Sequence, residues 1–80
     1  MAEQKRILTP IPGVFYRKPA PDKDVYVKEG DTVKVGDVIA IVEVMKNFYE
    51  IKAETVGVIE RFLVEDEELL DAGQEIAVII

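Results

Sequence analysis

Residues 38–52 read VIAIVEVMKNFYEIK, and the architecture of the chain follows from them. Both ends of the segment are rich in β-branched and aromatic side chains, which favour strands. The tripeptide Met45-Lys46-Asn47 lies between these ends, so the segment predicts a tight hairpin with Met45 and Lys46 at its tip. This placement directs the Lys46 side chain into solvent, where another protein can reach it.

The two arms of this hairpin have a defined register. Two cross-strand pairs follow from it: Val42 with Tyr49, and Ala40 with Ile51. These pairs give the hairpin one apolar face. The opposite face carries Glu43, Phe48, Glu50 and Lys52. The turn type stays open, because Asn47 rather than a glycine is the residue here that best tolerates a positive φ.

The rest of the chain also has the pattern of short strands. Runs typical of strands at residues 38–42, 48–52, 57–62 and 76–79 are separated by turn signals that contain Gly, Pro or Asp. Only residues 64–72 have the polarity and spacing of a helix, and they lack a good N-terminal cap. We therefore expect an all-β domain.

An internal repeat relates the two halves of the chain. Residues 36–42 align with residues 73–79, and residues 13–15 align with residues 57–59. The first half contains seven extra residues, which we place at 18–24. Two related β units of this size predict two sheets packed face to face about a pseudo-two-fold axis, because neither half alone can bury its apolar face.

Composition excludes several classes of function. The chain has 80 residues, enough for one domain, and it contains no His and no Cys. This removes the usual general base, the thiolate nucleophile and the common zinc ligands, so we expect no catalytic residue and no metal site. The net charge of −6 has the wrong sign for a nucleic-acid partner.

Charge and hydropathy also bear on location. Residues 53–80 carry one base and eight acids, and the run Glu65-Asp66-Glu67-Glu68 is expected to be a solvated surface. No apolar run approaches the roughly 18 residues that span a bilayer, and no secretory signal is recognisable. We expect a cytoplasmic protein with no membrane contact.

The segment Glu43-Val44-Met45-Lys46-Asn47 resembles the attachment motif of biotinyl domains, commonly Glu-Ala-Met-Lys-Met, in which the Lys carries biotin through an amide. The resemblance runs from about Thr9 to Ile79, with domain bounds of 9–80 and residues 1–8 as a tail or first edge strand. It implies a flattened β-sandwich or barrel of two four-stranded antiparallel sheets, the hammerhead type. It also implies that Glu43, Val44, Met45 and Asn47 are read by the enzyme that attaches biotin.

The seven-residue insertion resembles the "thumb" of carriers of the bacterial acetyl-CoA carboxylase type. Its core is Lys18, Pro19, Ala20 and Pro21. Because proline fixes φ and restricts the residue before it, this loop is stiff enough to hold a position over a bound ring. Two motif positions depart from the family: Val44 replaces Ala, and Asn47 replaces Met. Met45 is retained, whereas the related lipoyl domains usually place Asp before their Lys.

The resemblance implies a carrier without catalytic residues, in which biotin supplies the chemistry. A biotin protein ligase would attach biotin to Lys46. Biotin would then take a carboxylate from a biotin carboxylase site to a carboxyltransferase site, in an acetyl-CoA-type carboxylase. Two alternatives stay open: a lipoyl carrier of a 2-oxo acid dehydrogenase, and an unmodified β-sandwich binding module.

Overall fold

The computed structural model describes residues 4–80, and the predictions made for residues 1–3 lie outside this range. Within it the protein is built of strands joined by turns and loops, without a helix. The eight strands are β1 (Lys5–Leu8), β2 (Gly13–Tyr16), β3 (Thr32–Val33), β4 (Val38–Val44), β5 (Asn47–Lys52), β6 (Gly57–Phe62), β7 (Leu69–Leu70) and β8 (Glu75–Ile79).

The strands form two four-stranded sheets, in the orders β1-β8-β6-β3 and β5-β4-β2-β7. Every strand pair is antiparallel, so the predicted all-β sandwich of two four-stranded sheets is confirmed. The core lies between the sheets. Its largest fully buried side chains include Phe15, Ile39, Ile59, Leu70 and Ile76.

Equivalent hydrogen bonds recur in the two halves, which confirms the predicted pseudo-two-fold relation. The backbone N–H of Lys28 donates to the Asp31 carboxylate (2.8 Å), as that of Glu65 does to Glu68 (3.0 Å). The backbone N–H of Gly36 donates to the Ala53 carbonyl (2.9 Å), as that of Gly73 does to Thr9 (2.7 Å). The β4–β5 hairpin is therefore the link between two halves that share one folding pattern.

Residues 64–72, the segment with helical polarity, form no helix. Glu67 has a left-handed φ of 69°, which interrupts a right-handed helix. Leu70, in β7, pairs with Gly13 of β2 and is only 1% exposed. Burial of Leu70 against the neighbouring strand decides the conformation, whereas local polarity does not.

At the other end of the molecule, β1 is the edge strand of its sheet and pairs with β8. Arg6 of β1 forms an ion pair with Glu75 of β8 at 2.6 Å. Both side chains are 45% exposed, so this pair contributes little to stability.

Candidate functional site

The β4–β5 hairpin turns on Met45 and Lys46, as predicted. Val44 pairs with Asn47 across the turn, and both tip residues have positive φ, 50° for Met45 and 69° for Lys46. This is the pattern of a type I′ turn, whose backbone twist matches that of the flanking strands. The left-handed positions are thus Met45 and Lys46 rather than Asn47, and each costs roughly 1–2 kcal/mol for a residue with a Cβ. The cost is met by the strand pairing on both sides.

The tip of the hairpin is open to solvent. The Met45 side chain is 89% exposed, and Lys46 is exposed as well. Across residues 4 to 80, Lys46 forms no ion pair and no side-chain hydrogen bond. The amine is therefore available to a partner without first breaking a contact.

The outer face of the hairpin sheet carries two rows of side chains. The row next to the turn consists of Phe48, Glu43, Val14 and Leu69, which are paired across β5, β4, β2 and β7. The next row consists of Glu50, Ile41 and Tyr16. Two residues separate the rows along a strand, which is roughly 7 Å. Ile41 is only 6% exposed although it lies on this outer face, so another segment covers it.

The covering segment belongs to the connection between β2 and β3, residues 17–31. Its base is held where the backbone N–H of Arg17 donates to the Asp66 carboxylate (2.8 Å) and that of Tyr26 donates to the Arg17 carbonyl (2.9 Å). The Arg17 guanidinium lies 4.1 Å from the centroid of the Phe62 ring, a cation–π contact. These contacts fix the root of the loop on the sandwich.

A pocket of about 330 Å³ lies between this loop and the sheet. We call it the thumb pocket. The loop contributes Lys18, Pro19, Ala20 and Pro21; the sheet contributes Tyr16, Ile41, Glu43 and Phe48; and the turn before β7 contributes Asp66 and Glu67. Glu43 and Phe48 form the strand pair adjacent to Val44 and Asn47, so one end of the pocket lies beside the hairpin tip.

The pocket is electrically negative. Partial burial, the charge of Glu43 and a hydrogen bond to the Glu43 carboxylate raise the pKa of the Tyr16 hydroxyl, and Glu67 and Asp66 add to the rise. Burial and the charge of Glu50 likewise raise the pKa of Tyr26, in the loop. Both tyrosines stay protonated to higher pH than in an unfolded chain.

We expect Glu43→Gln to lower the pKa of Tyr16, because the substitution removes the carboxylate that contributes most to its rise. The difference in phenolate absorbance between wild type and Tyr16→Phe isolates this titration. The raised pKa means that the folded state binds the Tyr16 proton more tightly than the unfolded state does. The associated stability is therefore complete below pH 10.0, the ordinary value, and is lost as the pH rises through the folded-state pKa.

Glu54→Gln is the matched control, since Glu54 is exposed and does not line the thumb pocket. A Tyr16 midpoint that is the same in wild type, Glu43→Gln and Glu54→Gln would contradict the assigned contact.

The structure divides the residues predicted for the site into two groups. Val44, Met45, Lys46 and Asn47 form the hairpin turn, and none of them lines the thumb pocket. Glu43 and the loop residues Lys18, Pro19, Ala20 and Pro21 come together in the pocket. Their functional roles stay predictions.

Sequence reasoning did not assign five pocket residues to the site: Tyr16, Ile41, Phe48, Asp66 and Glu67. The alternation of side chains along the strands placed Phe48 on the same face as Glu43, so the sequence did contain a signal for Phe48. Asp66 and Glu67 gave no such signal, because their approach to Tyr16 depends on the pairing of β2 with the short strand β7.

No group of three or more Asp or Glu side chains in the described part of the chain could hold a metal ion. From residue 4 onwards there is also no helix of the length and apolarity that a membrane span requires.

Comparison with known proteins agrees with this geometry. Residues 5–79 match the model of the biotin/lipoyl family, described as biotin-requiring enzyme. The chain belongs to this family. Its fold is also similar to part of the crystal structure of the urea carboxylase of Kluyveromyces lactis, with a TM-score of 0.80 and 25% identity, over 100% of this chain and 6% of that one.

Two similar proteins are each called biotin carboxyl carrier protein of acetyl-CoA carboxylase. The protein of Pyropia yezoensis is 42% identical over 72 residues, which cover 90% of this chain and 46% of the relative. The protein of Haemophilus influenzae is 37% identical over 73 residues, which cover 91% of this chain and 47% of the relative. The chain thus spans less than half the length of these relatives.

Proposed function

We propose that the chain is a biotin carrier and that biotin is attached through an amide to the Nζ atom of Lys46. The observation that carries the proposal is the exposed Lys46, which has no side-chain partner within residues 4–80 and lies at the tip of a type I′ turn between two matching halves. Membership of the biotin/lipoyl family and similarity to the carrier proteins of acetyl-CoA carboxylases support it.

The thumb pocket fits the ring of biotin. Its volume of about 330 Å³ lies within the range of small-molecule sites, and Ile41, Phe48 and the loop prolines give it apolar walls. The Glu43–Phe48 pair at its near end is the first pair beyond the one that closes the turn. A lysine side chain extended by the acyl chain of biotin is long enough to reach this end.

When attached, biotin supplies a ring nitrogen that accepts and releases a carboxylate. The chain supplies position: the β4–β5 pairing holds the turn away from the core, and the loop at residues 18–21 offers the ring a place to rest. In this proposal the chemistry belongs to a biotin carboxylase and a carboxyltransferase of an acetyl-CoA-type carboxylase, and this chain is the non-catalytic subunit that moves between them. Tethering keeps the local concentration of the ring high at each site, up to about millimolar for short flexible links.

Attachment requires a biotin protein ligase that reads the turn. Met45 is the most exposed of the large apolar residues in the described range, and Glu43, Val44 and Asn47 flank the tip on the paired strands. The acidic residues concentrated at 53–80 favour docking on basic partner surfaces, an attraction that salt weakens.

Two parallel incubations test the proposal. In one the chain is mixed with biotin protein ligase, biotin and ATP, and in the other with lipoate ligase, lipoate and ATP. Intact mass spectrometry is expected to find one biotinyl group in the first and the bare chain in the second. A lipoyl adduct without a biotinyl adduct would assign the chain to the 2-oxo acid dehydrogenases, and a bare chain in both would leave an unmodified binding module.

A further inference from the structure

The thumb pocket combines an apolar interior with several carboxylates. Ile41, Phe48 and Pro21 supply apolar surface, whereas Glu43, Asp66 and Glu67 supply negative charge against the single positive charge of Lys18. An attached neutral ring needs the apolar surface, and its ureido N–H groups can donate hydrogen bonds to carboxylates. The excess of acid therefore matters most for a ring that carries a negative charge of its own.

The three carboxylates of the pocket have few partners within residues 4–80. Asp66 accepts the backbone N–H of Arg17 (2.8 Å), and Glu43 lies close enough to Tyr16 to raise the pKa of its hydroxyl. In the part of the chain that the structure describes, none of the three forms a salt bridge. The Arg17 guanidinium instead lies over Phe62 and donates to the Val27 carbonyl (3.3 Å). Their fields add within the pocket, where burial, Glu43, Glu67 and Asp66 together raise the pKa of Tyr16.

We infer that the thumb pocket discriminates by charge, so that it holds the neutral ring and releases the ring once it carries a carboxylate. The inference rests on the proposed function. On carboxylation at the partner enzyme, ATP transfers its terminal phosphoryl group to bicarbonate and becomes ADP. The ring nitrogen then gives its proton to a base and forms a bond to the carboxyl carbon, while the C–O bond to phosphate breaks and inorganic phosphate leaves. The ring then bears a negative charge beside Glu43, Asp66 and Glu67. Repulsion in a partly desolvated pocket disfavours this state, which leaves the loaded arm extended for the carboxyltransferase.

NMR spectra of the biotinylated chain test the inference through the Ala20 methyl group and the Phe48 ring. Both should shift between the bare and biotinylated chains. Loading the arm with biotin carboxylase, bicarbonate and ATP should return both signals toward the bare positions, with about a tenfold loss of pocket occupancy, a typical size for a coupling between two states. Signals that do not move on loading would overturn the inference.

A charge-neutral variant identifies the cause. In Glu43→Gln/Glu67→Gln the loaded ring should stay in the pocket, whereas it should still leave in the control Glu29→Gln/Glu54→Gln, which makes the same change in net charge outside the pocket lining. Asp66 is kept in both, because it anchors Arg17. Release that is equal in the two variants would refute charge as the cause.

A second arm of the test does not depend on biotin. The chain contains no Cys, so Lys46→Cys offers a single thiol for alkylation with a benzyl iodoacetamide or with the same reagent bearing a ring carboxylate. The neutral ring should shift the Ala20 and Phe48 signals and the anionic ring should not. Equal shifts would contradict charge selection. A chain that takes no biotin but passes this test would refute the proposed function and leave the property of the pocket standing.

Discussion

Lys46→Arg is expected to abolish biotin attachment. The guanidinium keeps the positive charge at the tip of the turn but has no primary amine that can form the amide. We also expect no other lysine of the chain to accept biotin in place of Lys46. Incubation with biotin protein ligase followed by intact mass spectrometry should give the bare mass for Lys46→Arg. Lys52→Arg, on an exposed position of the same hairpin, is the matched control and should acquire one biotinyl group as wild type does.

Moving the lysine by one residue tests whether the turn geometry, and not only the presence of an amine, is required for attachment. In Lys46→Arg/Asn47→Lys the amine lies one residue farther along, at a position that pairs with Val44 in the strand instead of occupying the left-handed turn. Since small misplacements of a reacting group can cost about 100-fold in rate, we expect modification at least that much slower than in wild type. Modification at the wild-type rate would mean that the turn geometry does not present the acceptor.

Gly13→Ala is expected to have the largest effect on stability. A Cβ at residue 13 would lie 2.5 Å from the backbone carbonyl oxygen of Glu43 and 2.6 Å from Val42 Cγ1. Backbone cannot move aside as a flexible side chain can, so β2 must separate from β4 just before the hairpin turn. We expect the free energy of unfolding to fall by about 3 kcal/mol, at the upper end of overpacking costs.

Urea denaturation measures this loss, and Gly73→Ala provides the comparison. Gly73 has a positive φ of 83°, but a Cβ there would meet none of the described atoms within 4 Å outside its chain neighbours. Gly73→Ala should lower the free energy of unfolding by only about 1 kcal/mol, because alanine is disfavoured in the left-handed backbone conformation. Equal losses of unfolding free energy in the two variants would show that the close approach of β2 to β4 leaves room for a Cβ at residue 13.

The hairpin could be predicted from sequence because its signals are local and agree with one another. The pairs Val42 with Tyr49 and Ala40 with Ile51 follow from alternation on either side of a two-residue tip, and both occur in the structure. The repeat was equally informative, since the turn hydrogen bonds of Asp31 and Glu68 occupy aligned positions.

The parts that escaped prediction depend on contacts between distant segments. β3 and β7 have two residues each, too few for an alternation to be recognised, and β7 lies in the segment whose polarity resembles a helix. The thumb pocket needs β2, β4 and β7 to be assembled before Tyr16 meets Glu43 and Asp66. The loop at residues 18–24 could be located from the repeat, but what it covers could not.

The most direct test of the account is peptide mapping of the chain purified from the cells that produce it. The peptide containing Lys46 is expected to carry one biotinyl group, and all other lysines are expected to be unmodified. A bare Lys46, a lipoyl group on Lys46, or biotin on a different lysine would contradict it.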